Sequence, residues 1–324
     1  MRLLSDADVR AAIDYDTALD IARRTLRDQA QGRAILSSPS AMILDASSLG
    51  GPRAKFKAAS VAHLKASGIR LLSHPSPTEK AYNYCALFDH ETTTLAGLVA
   101  ERWLSRIRTA AFGAASIEPL VNSGRLVVAL FGAGGIAREI VPLIARTLEV
   151  EEMRVNSRRT ESTAAFVADL APAAGFPMRA ESDARRAVKD ADLVITLTES
   201  PTPLVFPGTL KPGAVVCSMG SYNEVDYGVL AEAQRLVVDD ADFAAEMGDG
   251  AAWIAQGHLS RERFTARIDA LACDVVAGTK PGRRSSSERI VALIQGMAIG
   301  DVAFAAYALR HAEGSGSGRV IALP

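Results

Sequence analysis

Residues 126–138 read LVVALFGAGGIAR, and this stretch decides the fold of the chain. The run Leu126–Phe131 is apolar without alternation, which is typical of a parallel strand buried on both faces. It continues into Gly132-Ala133-Gly134-Gly135-Ile136-Ala137, which matches G-x-G-x-x-G/A. In that pattern the first glycine makes a tight turn, the second lets the backbone approach a pyrophosphate, and the last small residue lets helix pack on strand. The stretch therefore predicts a Rossmann strand, turn and helix, although such a turn can also be purely structural.

Ser157-Arg158-Arg159 follow the second predicted strand, Met153–Asn156. They lie about 20 residues beyond the glycines, where Rossmann units discriminate between cofactors. An acidic residue there would bond the ribose 2′-hydroxyl, whereas a hydroxyl and two guanidinium groups better suit a 2′-phosphate. The sequence therefore favours NADP(H), with NAD(H) still possible. The alternative is that the two arginines belong to a solvated turn.

Length and charge limit the classes of function. The 324 residues suffice for two domains, each with its own core. A formal net charge of −1 gives no electrostatic reason to expect nucleic acid or a membrane as a partner. The start lacks the apolar region of a signal peptide, and the apolar stretch Ile290–Leu309 is interrupted by Gln295 and Asp301. We therefore expect a cytoplasmic protein.

Cysteine and histidine spacing predicts no metal site. Cys85, Cys217 and Cys273 are scattered and form no CxxC motif, which indicates a reducing compartment. The five histidines show no ligand spacing either.

Along the chain, a short helix that Ser5 can cap and a second helix that ends at Gly32 precede a meander of antiparallel strands, so an α+β region comes before the nucleotide fold. The predicted strands are 40–44, 53–61, 69–73, 82–88 and 94–99, with a turn at 75–77. A helix over 103–120 then leads through the linker 122–124 into alternating strands and helices, which imply a parallel sheet. A single long helix over 286–312 is expected to pack back onto the first domain, and 319–323 to form an edge strand.

Two cationic positions stand out before the glycine turn. Arg108 begins a helix, and an arginine fork binds a carboxylate bidentately. Lys57 lies in a predicted strand, where it shares a face with Lys55. From spacing alone, both could equally be solvated surface side chains.

The order of these motifs resembles the ornithine cyclodeaminase and μ-crystallin family over nearly the whole chain. The resemblance rests on the strand around Lys57, on Arg108-Thr109-Ala110-Ala111, on Gly132-Ala133-Gly134, and on residues 191–198, 210–213, 278–283 and 296–301. It implies an α/β fold in which a Rossmann doubly wound parallel sheet is inserted into an α+β substrate-binding and dimerisation domain. The expected division is 1–120 plus 302–324 for the latter and 121–301 for the former, with a homodimer through the N-terminal strands.

The resemblance also implies roles for individual residues. Arg108 would grip the α-carboxylate of a small substrate, and Lys57 beside it would bond the carboxylate or donate a proton. The implied cofactor-binding residues, in addition to Gly132, are Thr109, Gly134, Gly135, Ile136, Ser157, Arg158, Arg159, Thr196, Leu197, Thr198, Met219 and Gly220.

Two departures from the family pattern bear on the substrate. Ornithine cyclodeaminases carry an aspartate shortly after the glycine that corresponds to Gly220, whereas residues 221–226 here read SYNEVD. Whether Tyr222 or Glu224 replaces it is open. An arginine usual after an upstream proline is replaced by Ser40, and both changes argue against ornithine.

These observations predict an NAD(P)H-dependent reductase that converts an imine of a 2-oxo acid, or a cyclic imino acid, into an amino acid. One alternative is a cyclodeaminase that oxidises and re-reduces bound NAD within a turnover. The other is a non-enzymatic protein that binds NADPH and a small ligand, as μ-crystallin-like proteins could.

Overall fold

A computed structural model describes residues 1–51, 53–74 and 83–322. The chain divides into two compact units: unit 1 is Met1–Thr109 with Met297–Pro324, and unit 2 is Ala110–Gly296. The first division falls inside one helix, Leu104–Ile117, rather than after it. The predicted turn at 75–77 and the start of the predicted strand at 82 lie outside the described residues.

The elements are numbered in chain order. The strands are β1 Arg2–Leu4, β2 Ala34–Leu36, β3 Met42–Asp45, β4 Arg53–Val61, β5 Ala66–His74, β6 Tyr84–Asp89, β7 Leu95–Ala100, β8 Leu126–Phe131, β9 Val150–Asn156, β10 Met178–Ala180, β11 Leu193–Thr196, β12 Val215–Ser218, β13 Arg235–Val238, β14 Ala270–Leu271, β15 Ile290–Leu293 and β16 Arg319–Val320. The helices are α1 Asp6–Ala12, α2 Tyr15–Ala30, α3 Leu104–Ile117, α4 Gly135–Thr147, α5 Thr160–Ala174, α6 Ala184–Val188, α7 Tyr227–Glu232, α8 Ala241–Glu246, α9 Gly248–Ala255, α10 Arg261–Arg267, α11 Ala272–Val276 and α12 Ala298–Ser315.

Unit 1 is an α+β structure built on one sheet in the order β16-β1-β7-β6-β5-β4-β2, with β3 beside β2 on the same edge of β4. Strands β4 to β7 form the predicted antiparallel meander. Strand β1, which the sequence patterns did not identify, pairs with β7 in parallel. The helix α1 begins after Ser5, whose side chain accepts from the Asp8 backbone N–H while the Asp8 side chain accepts from the Ser5 backbone N–H.

One face of this sheet is covered by α12. A Cβ atom added to Gly68 would lie 2.9 Å from Val302, and one added to Gly97 would lie 2.9 Å from Leu309. These glycines therefore permit the helix to approach the strands more closely than any side chain would allow. The close packing places residues of alternate strand positions, including Arg70, against the buried side of the sheet.

Unit 2 is a parallel sheet in the order β10-β9-β8-β11-β12-β15-β13-β14. The first five strands have the Rossmann order 3-2-1-4-5 when they are numbered from β8. The predicted α/β fold class is thus confirmed. Strand order reverses between β8 and β11, and ligands of such sheets bind at the carboxyl ends of the strands beside this point.

The prediction of one helix over 286–312 is wrong. Residues Ile290–Leu293 form β15, which is buried and pairs with β12 and β13, and the helix begins only at Ala298. A short continuous apolar run fits a buried strand and a buried helix equally well, so periodicity alone misassigned it. The later part, α12, does pack within unit 1, as the sequence predicted.

Candidate functional site

A cavity of about 590 Å³ lies in unit 2 among the loops that follow β8, β9 and β11. It is lined by the glycine turn, by the polar segment after β9 and by the loop after β11. Its lining includes these predicted cofactor residues: Gly132, Gly134, Ser157, Arg158, Arg159, Leu197 and Thr198. The cavity therefore lies where the strand order reverses, as expected for a nucleotide site.

The two lining glycines have different structural requirements. Gly132 has a φ of +110°, and a Cβ atom there would lie 2.5 Å from the carbonyl oxygen of Leu197, so the fold itself requires glycine. Gly134 has an extended backbone with φ of −86°, and no described atom lies within 4 Å of an added Cβ. Gly135 and Ile136 open α4, whose first N–H groups have no partner within the helix. The open space at Gly134, next to these donors, fits a pyrophosphate.

The segment after β9 supplies the basic side chains of this cavity. Arg158 and Arg159 are exposed, whereas Ser157 is half-buried and its hydroxyl lies 2.6 Å from that of Thr163. Arg159 also stands at the N-cap of α5. Two guanidinium groups at the cavity give it a positive end that suits an anionic group.

Glu224 is fully buried beside the cavity wall. Its Oε1 accepts hydrogen bonds from the Thr198 backbone N–H at 2.6 Å and from the Thr198 hydroxyl at 2.5 Å, and its Oε2 accepts one from the Thr196 hydroxyl at 3.0 Å. Burial raises the pKa of Glu224, and the hydrogen bonds oppose that shift. The carboxylate thus fixes the end of β11, and the Thr196 hydroxyl is used on Glu224 rather than at the cavity.

The loop that carries Glu224 is itself held by a buried aspartate. Asp249 accepts hydrogen bonds from the backbone N–H groups of Glu224 and Val225, at 2.6 and 2.9 Å. Burial raises the pKa of Asp249 to about 7. Tyr222, by contrast, is half exposed. Of the two residues considered for the family aspartate, Glu224 is therefore buried with both oxygens hydrogen-bonded, whereas Tyr222 is exposed.

Three further predicted residues lie away from the cavity lining. Met219 is buried against α3, where a Cβ added to Gly113 would lie 2.3 Å from its Cε. Gly220 could not carry a side chain, because an added Cβ would lie 1.9 Å from Glu224. The Thr109 hydroxyl donates to the backbone carbonyl of Ser105 at 2.7 Å. The structure gives these residues packing or backbone contacts, and their proposed cofactor roles remain predictions.

Unit 1 contains a buried cluster of charged side chains on the α12 side of its sheet. The members are Lys57 on β4, Arg70 on β5, Glu101 after β7, Arg108 on α3 and Asp301 on α12, each at most 5% exposed. Both predicted catalytic residues, Lys57 and Arg108, belong to this cluster. Arg70, Glu101 and Asp301 were not predicted as site residues.

Asp301 holds two arginines at once. Its Oδ1 lies 2.6 Å from Arg108 Nε and 3.4 Å from Arg70 Nη1. Arg70 in turn pairs through Nε with Glu101 and donates through Nη2 to the Ser105 hydroxyl at 2.7 Å. Arg108 Nη1 is buried and makes no hydrogen bond to any described residue. The network therefore fixes the Arg108 fork while leaving one of its donors available.

The cluster has an excess of positive charge. Three cationic side chains, Lys57, Arg70 and Arg108, are gathered with two carboxylates, Glu101 and Asp301. Burial and the neighbouring arginines lower the pKa of Lys57 to about 7, against the effect of Asp301. Burial likewise raises the pKa of Glu101 to about 8. A ligand carboxylate would balance this charge, because a buried cation is stable only when it is paired.

Residues 54–316 match the model of the family described as the ornithine cyclodeaminase/mu-crystallin family. The chain belongs to this family. The match includes the charged cluster as well as the whole Rossmann unit.

Individual relatives are similar over most of the chain. A Delta(1)-pyrroline-2-carboxylate reductase of Bacillus cereus is 26% identical over 240 residues, 72% of either protein. The iminosuccinate reductase of Paracoccus denitrificans is 29% identical over 219 residues, 66% of this chain and 65% of the relative. The solved structure of Thermococcus litoralis Delta(1)-pyrroline-2-carboxylate reductase with NADH and L-proline has a TM-score of 0.90 at 21% identity and covers 99% of this chain and 100% of its own. This last likeness shows the shared fold.

For this family member, the sequence contained a signal for some of the residues that were missed. Arg70 lies on the same face of β5 as the buried Ala66 and Gly68, because side chains two residues apart in a strand share a face. The strand pattern therefore indicates a buried arginine. Asp301 interrupts an apolar stretch, and a buried acid in such a stretch normally has a cationic partner. Glu101 follows its strand and carries no comparable signal.

The described residues were also compared with the requirements of a membrane span and of a metal site. None of the helices in 1–51, 53–74 and 83–322 has both the length and the apolar character needed to cross a membrane. In the same residues, no three His, Cys, Asp or Glu side chains are grouped so that they could hold a metal ion.

Proposed function

We propose that this protein is an NAD(P)H-dependent oxidoreductase that reduces the imine of a 2-oxo acid, or a cyclic imino acid, to the amino acid. The proposal is supported by family membership and by the reductases among the relatives. The observation that carries it is the buried cluster with its excess positive charge and its open Arg108 donor.

Arg108 binds the substrate carboxylate in this proposal. Asp301 restrains the guanidinium through Nε, so the Nη groups face the ligand in a fixed orientation. Holding a substrate in this way contributes several kcal/mol to catalysis, about 7–11 kcal/mol in the best intramolecular cases. Arg70 acts through Asp301 and is a positioning residue.

Lys57 supplies the proton. With a pKa of about 7, its ammonium group holds a proton at neutral pH and can also release it. Reduction adds a hydride to the C=N carbon and leaves an electron pair on nitrogen, and the proton from Lys57 Nζ completes the new N–H bond. A neutral amine remains on Lys57, and it is reprotonated from solvent before the next turnover.

The nicotinamide cofactor, when bound, supplies the hydride. The glycine turn and the start of α4 would hold its pyrophosphate, since Gly134 leaves room and the helix offers free N–H groups. Arg158 and Arg159 would hold a 2′-phosphate, and we therefore propose NADP(H) as the preferred form. Thr198, fixed by Glu224, would form the opposite wall.

The cyclodeaminase alternative requires a further carboxylate base after Gly220. Glu224 is already bonded to Thr196 and Thr198, and Asp226 caps α7 by accepting from the Gly228 N–H at 2.7 Å. Because both carboxylates are engaged in this way, simple reduction is favoured over deamination and cyclisation.

We also propose a homodimer through the sheet of unit 1. Gly68 and Arg70 face α12, so the intervening side chains of β5 point to the opposite face. On that face Ile69 and Leu71 are 43% and 39% exposed. An exposed apolar sheet face of this kind marks an association surface, and a two-fold dimer would cover it with the same face. Leu71→Glu should convert the dimer to a monomer in mass photometry.

The purified protein should be tested by following NADPH and NADH oxidation with a panel of 2-oxo acids plus ammonia or methylamine, and with cyclic imino acids. We expect oxidation that depends on the amine or on the cyclic imine. Release of ammonia from a diamino acid with no net change in nicotinamide absorbance would instead identify a cyclodeaminase. Tight NADPH binding without turnover on any substrate would identify a binding protein.

A further inference from the structure

A second cavity, of about 490 Å³, lies in unit 1 away from the charged cluster. It is formed by α2, by the short 3-10 helix Ala62–Leu64 and by α12. Its volume is within the range of small-molecule sites. The proposed reaction uses none of the residues that line it.

Basic side chains from all three elements converge on this cavity. Arg24 comes from α2, His63 from the 3-10 helix, and Arg310 and His311 from α12, whereas Asp20 is the sole carboxylate among the lining residues. Arg310 is held in place because its Nη2 donates to the Leu64 carbonyl at 2.6 Å. In the described parts of the chain no carboxylate lies within ion-pair distance of Arg24. Arg24 and Arg310 therefore bring two positive charges to a cavity whose lining contains one carboxylate.

A buried aspartate orients His63 toward the cavity. Asp28 Oδ2 lies 2.5 Å from His63 Nδ1, and Arg33 Nη2 lies 2.5 Å from Asp28 Oδ1. The His63 side chain is 10% exposed. Since Nδ1 is committed to Asp28, Nε2 is the ring nitrogen left for a ligand. The carboxylate fixes the tautomer and the orientation of the imidazole ring, as in many ligand-binding histidines.

We propose that this cavity binds a small anion that carries phosphate or carboxylate groups. The Arg24 fork and His63 Nε2 would contact the anionic oxygens, and the Tyr307 hydroxyl at the cavity wall is a further donor. Ile21 and Leu64 provide an apolar floor for the body of an organic anion. A phosphate monoester and a polycarboxylate share this chemistry, and the experiment distinguishes them.

Binding is coupled to protonation of His63. Burial, Arg24 and Arg310 lower the pKa of His63 in the free protein, although Asp28 acts in the opposite direction. A bound anion removes part of that unfavourable charge and raises the pKa, so binding takes up a proton. Affinity therefore increases as the pH falls from 8 to 6. Asp20 and His311 also face the cavity, and His311→Gln separates the second histidine from the first.

Isothermal titration calorimetry on the full-length protein should use inorganic phosphate and, separately, citrate, at pH 6 and at pH 8. Arg24→Gln should weaken binding about tenfold, the loss expected for one hydrogen bond between charged groups. Arg27→Gln is the matched control, because Arg27 is an exposed arginine on α2 that does not line the cavity. Anion binding in the nucleotide cavity is the same in both variants, so the difference between them isolates this site.

Tighter binding of phosphate than of citrate would indicate a phosphorylated ligand, and the reverse order a polycarboxylate. In either case the His63 ring signals should shift in histidine NMR spectra of the protein. His63→Gln should reduce the pH dependence, and the remainder arises from His311 and from ionisation of the anion itself. Equal affinities for Arg24→Gln and Arg27→Gln, or anion binding that leaves the His63 signals unmoved, would overturn the proposal.

Discussion

In unit 2 the proposed nucleotide cavity is lined by three loops that follow neighbouring strands, whereas in unit 1 the charged cluster is formed by side chains from five separate segments. Binding in the cavity depends on open space for the ligand, as at Gly134, where an added Cβ would meet no described atom. The geometry of the cluster depends on ion pairs, as at Asp301, which contacts two arginines. Changes to the cavity should therefore alter cofactor affinity, and changes to the cluster should alter turnover.

The largest effect is expected for Lys57→Met. The variant removes the proposed proton donor from the cluster, and loss of a general acid costs about 10²- to 10⁴-fold in rate. We expect kcat to fall by that factor while the Kd for NADPH, measured by fluorescence titration, stays the same. Lys65→Met is the control, because Lys65 is an exposed lysine of the same unit that pairs with Glu91. Unchanged turnover in Lys57→Met would exclude the proposed role.

Gly134→Ala tests the cavity, and it should change cofactor affinity rather than turnover. The fold should tolerate the methyl group, since φ is −86° and the surrounding space is open. A bound pyrophosphate would be crowded, and overpacking costs about 1–3 kcal/mol, or about 5- to 150-fold in affinity. We expect a higher Kd for NADPH with an unchanged Tm by calorimetry. Gly132→Ala should lower the Tm as well, because the φ of Gly132 is +110° and an added Cβ would clash with the carbonyl oxygen of Leu197.

The same contrast explains what could be predicted from sequence. The glycine turn after β8 and the polar segment 157–159 are each a short continuous stretch with a local signature, so these two parts of the cavity lining were predicted, whereas lining residues 199–202 and 204 of the loop after β11 were not. The cluster joins residues as far apart as 57 and 301, and nothing local in the sequence specifies that they meet. Lys57 and Arg108 were identified through the family resemblance rather than from spacing, and Arg70 and Glu101 were missed.

Secondary structure shows the same limit. Strands that adjoin turn residues, such as β4 and β8, were predicted with their observed bounds. Where the apolar pattern was continuous, as in 290–309, strand and helix could not be separated, because only the partners β12 and β13 define β15 as a strand. The helices α8 to α11 are short, and the sequence patterns did not identify them.

The charged cluster also predicts the pH dependence of the reaction. The proposed reduction uses Lys57 in its protonated form, and the pKa of Lys57 is lowered to about 7. The value of kcat for a cyclic imine should therefore be constant below about pH 7 and fall about tenfold per pH unit well above it. Stopped-flow measurement of hydride transfer between pH 5 and 9 checks this. The residual activity of Lys57→Met should lack the alkaline decrease, and its persistence there would assign the decrease to another group.

The smallest effect is expected for Arg158→Gln, at the exposed end of the nucleotide cavity. An exposed ion pair contributes about 0.2–1 kcal/mol, so loss of a contact with a 2′-phosphate should weaken NADPH binding by up to about fivefold. NADH lacks that phosphate, and its Kd should not change. The ratio of the two Kd values, compared with that of the exposed control Arg125→Gln, measures the contribution of Arg158. An equal loss for both cofactors would mean that Arg158 contacts a part of the nucleotide that they share, and the proposed preference for NADP(H) would then depend on Arg159 alone.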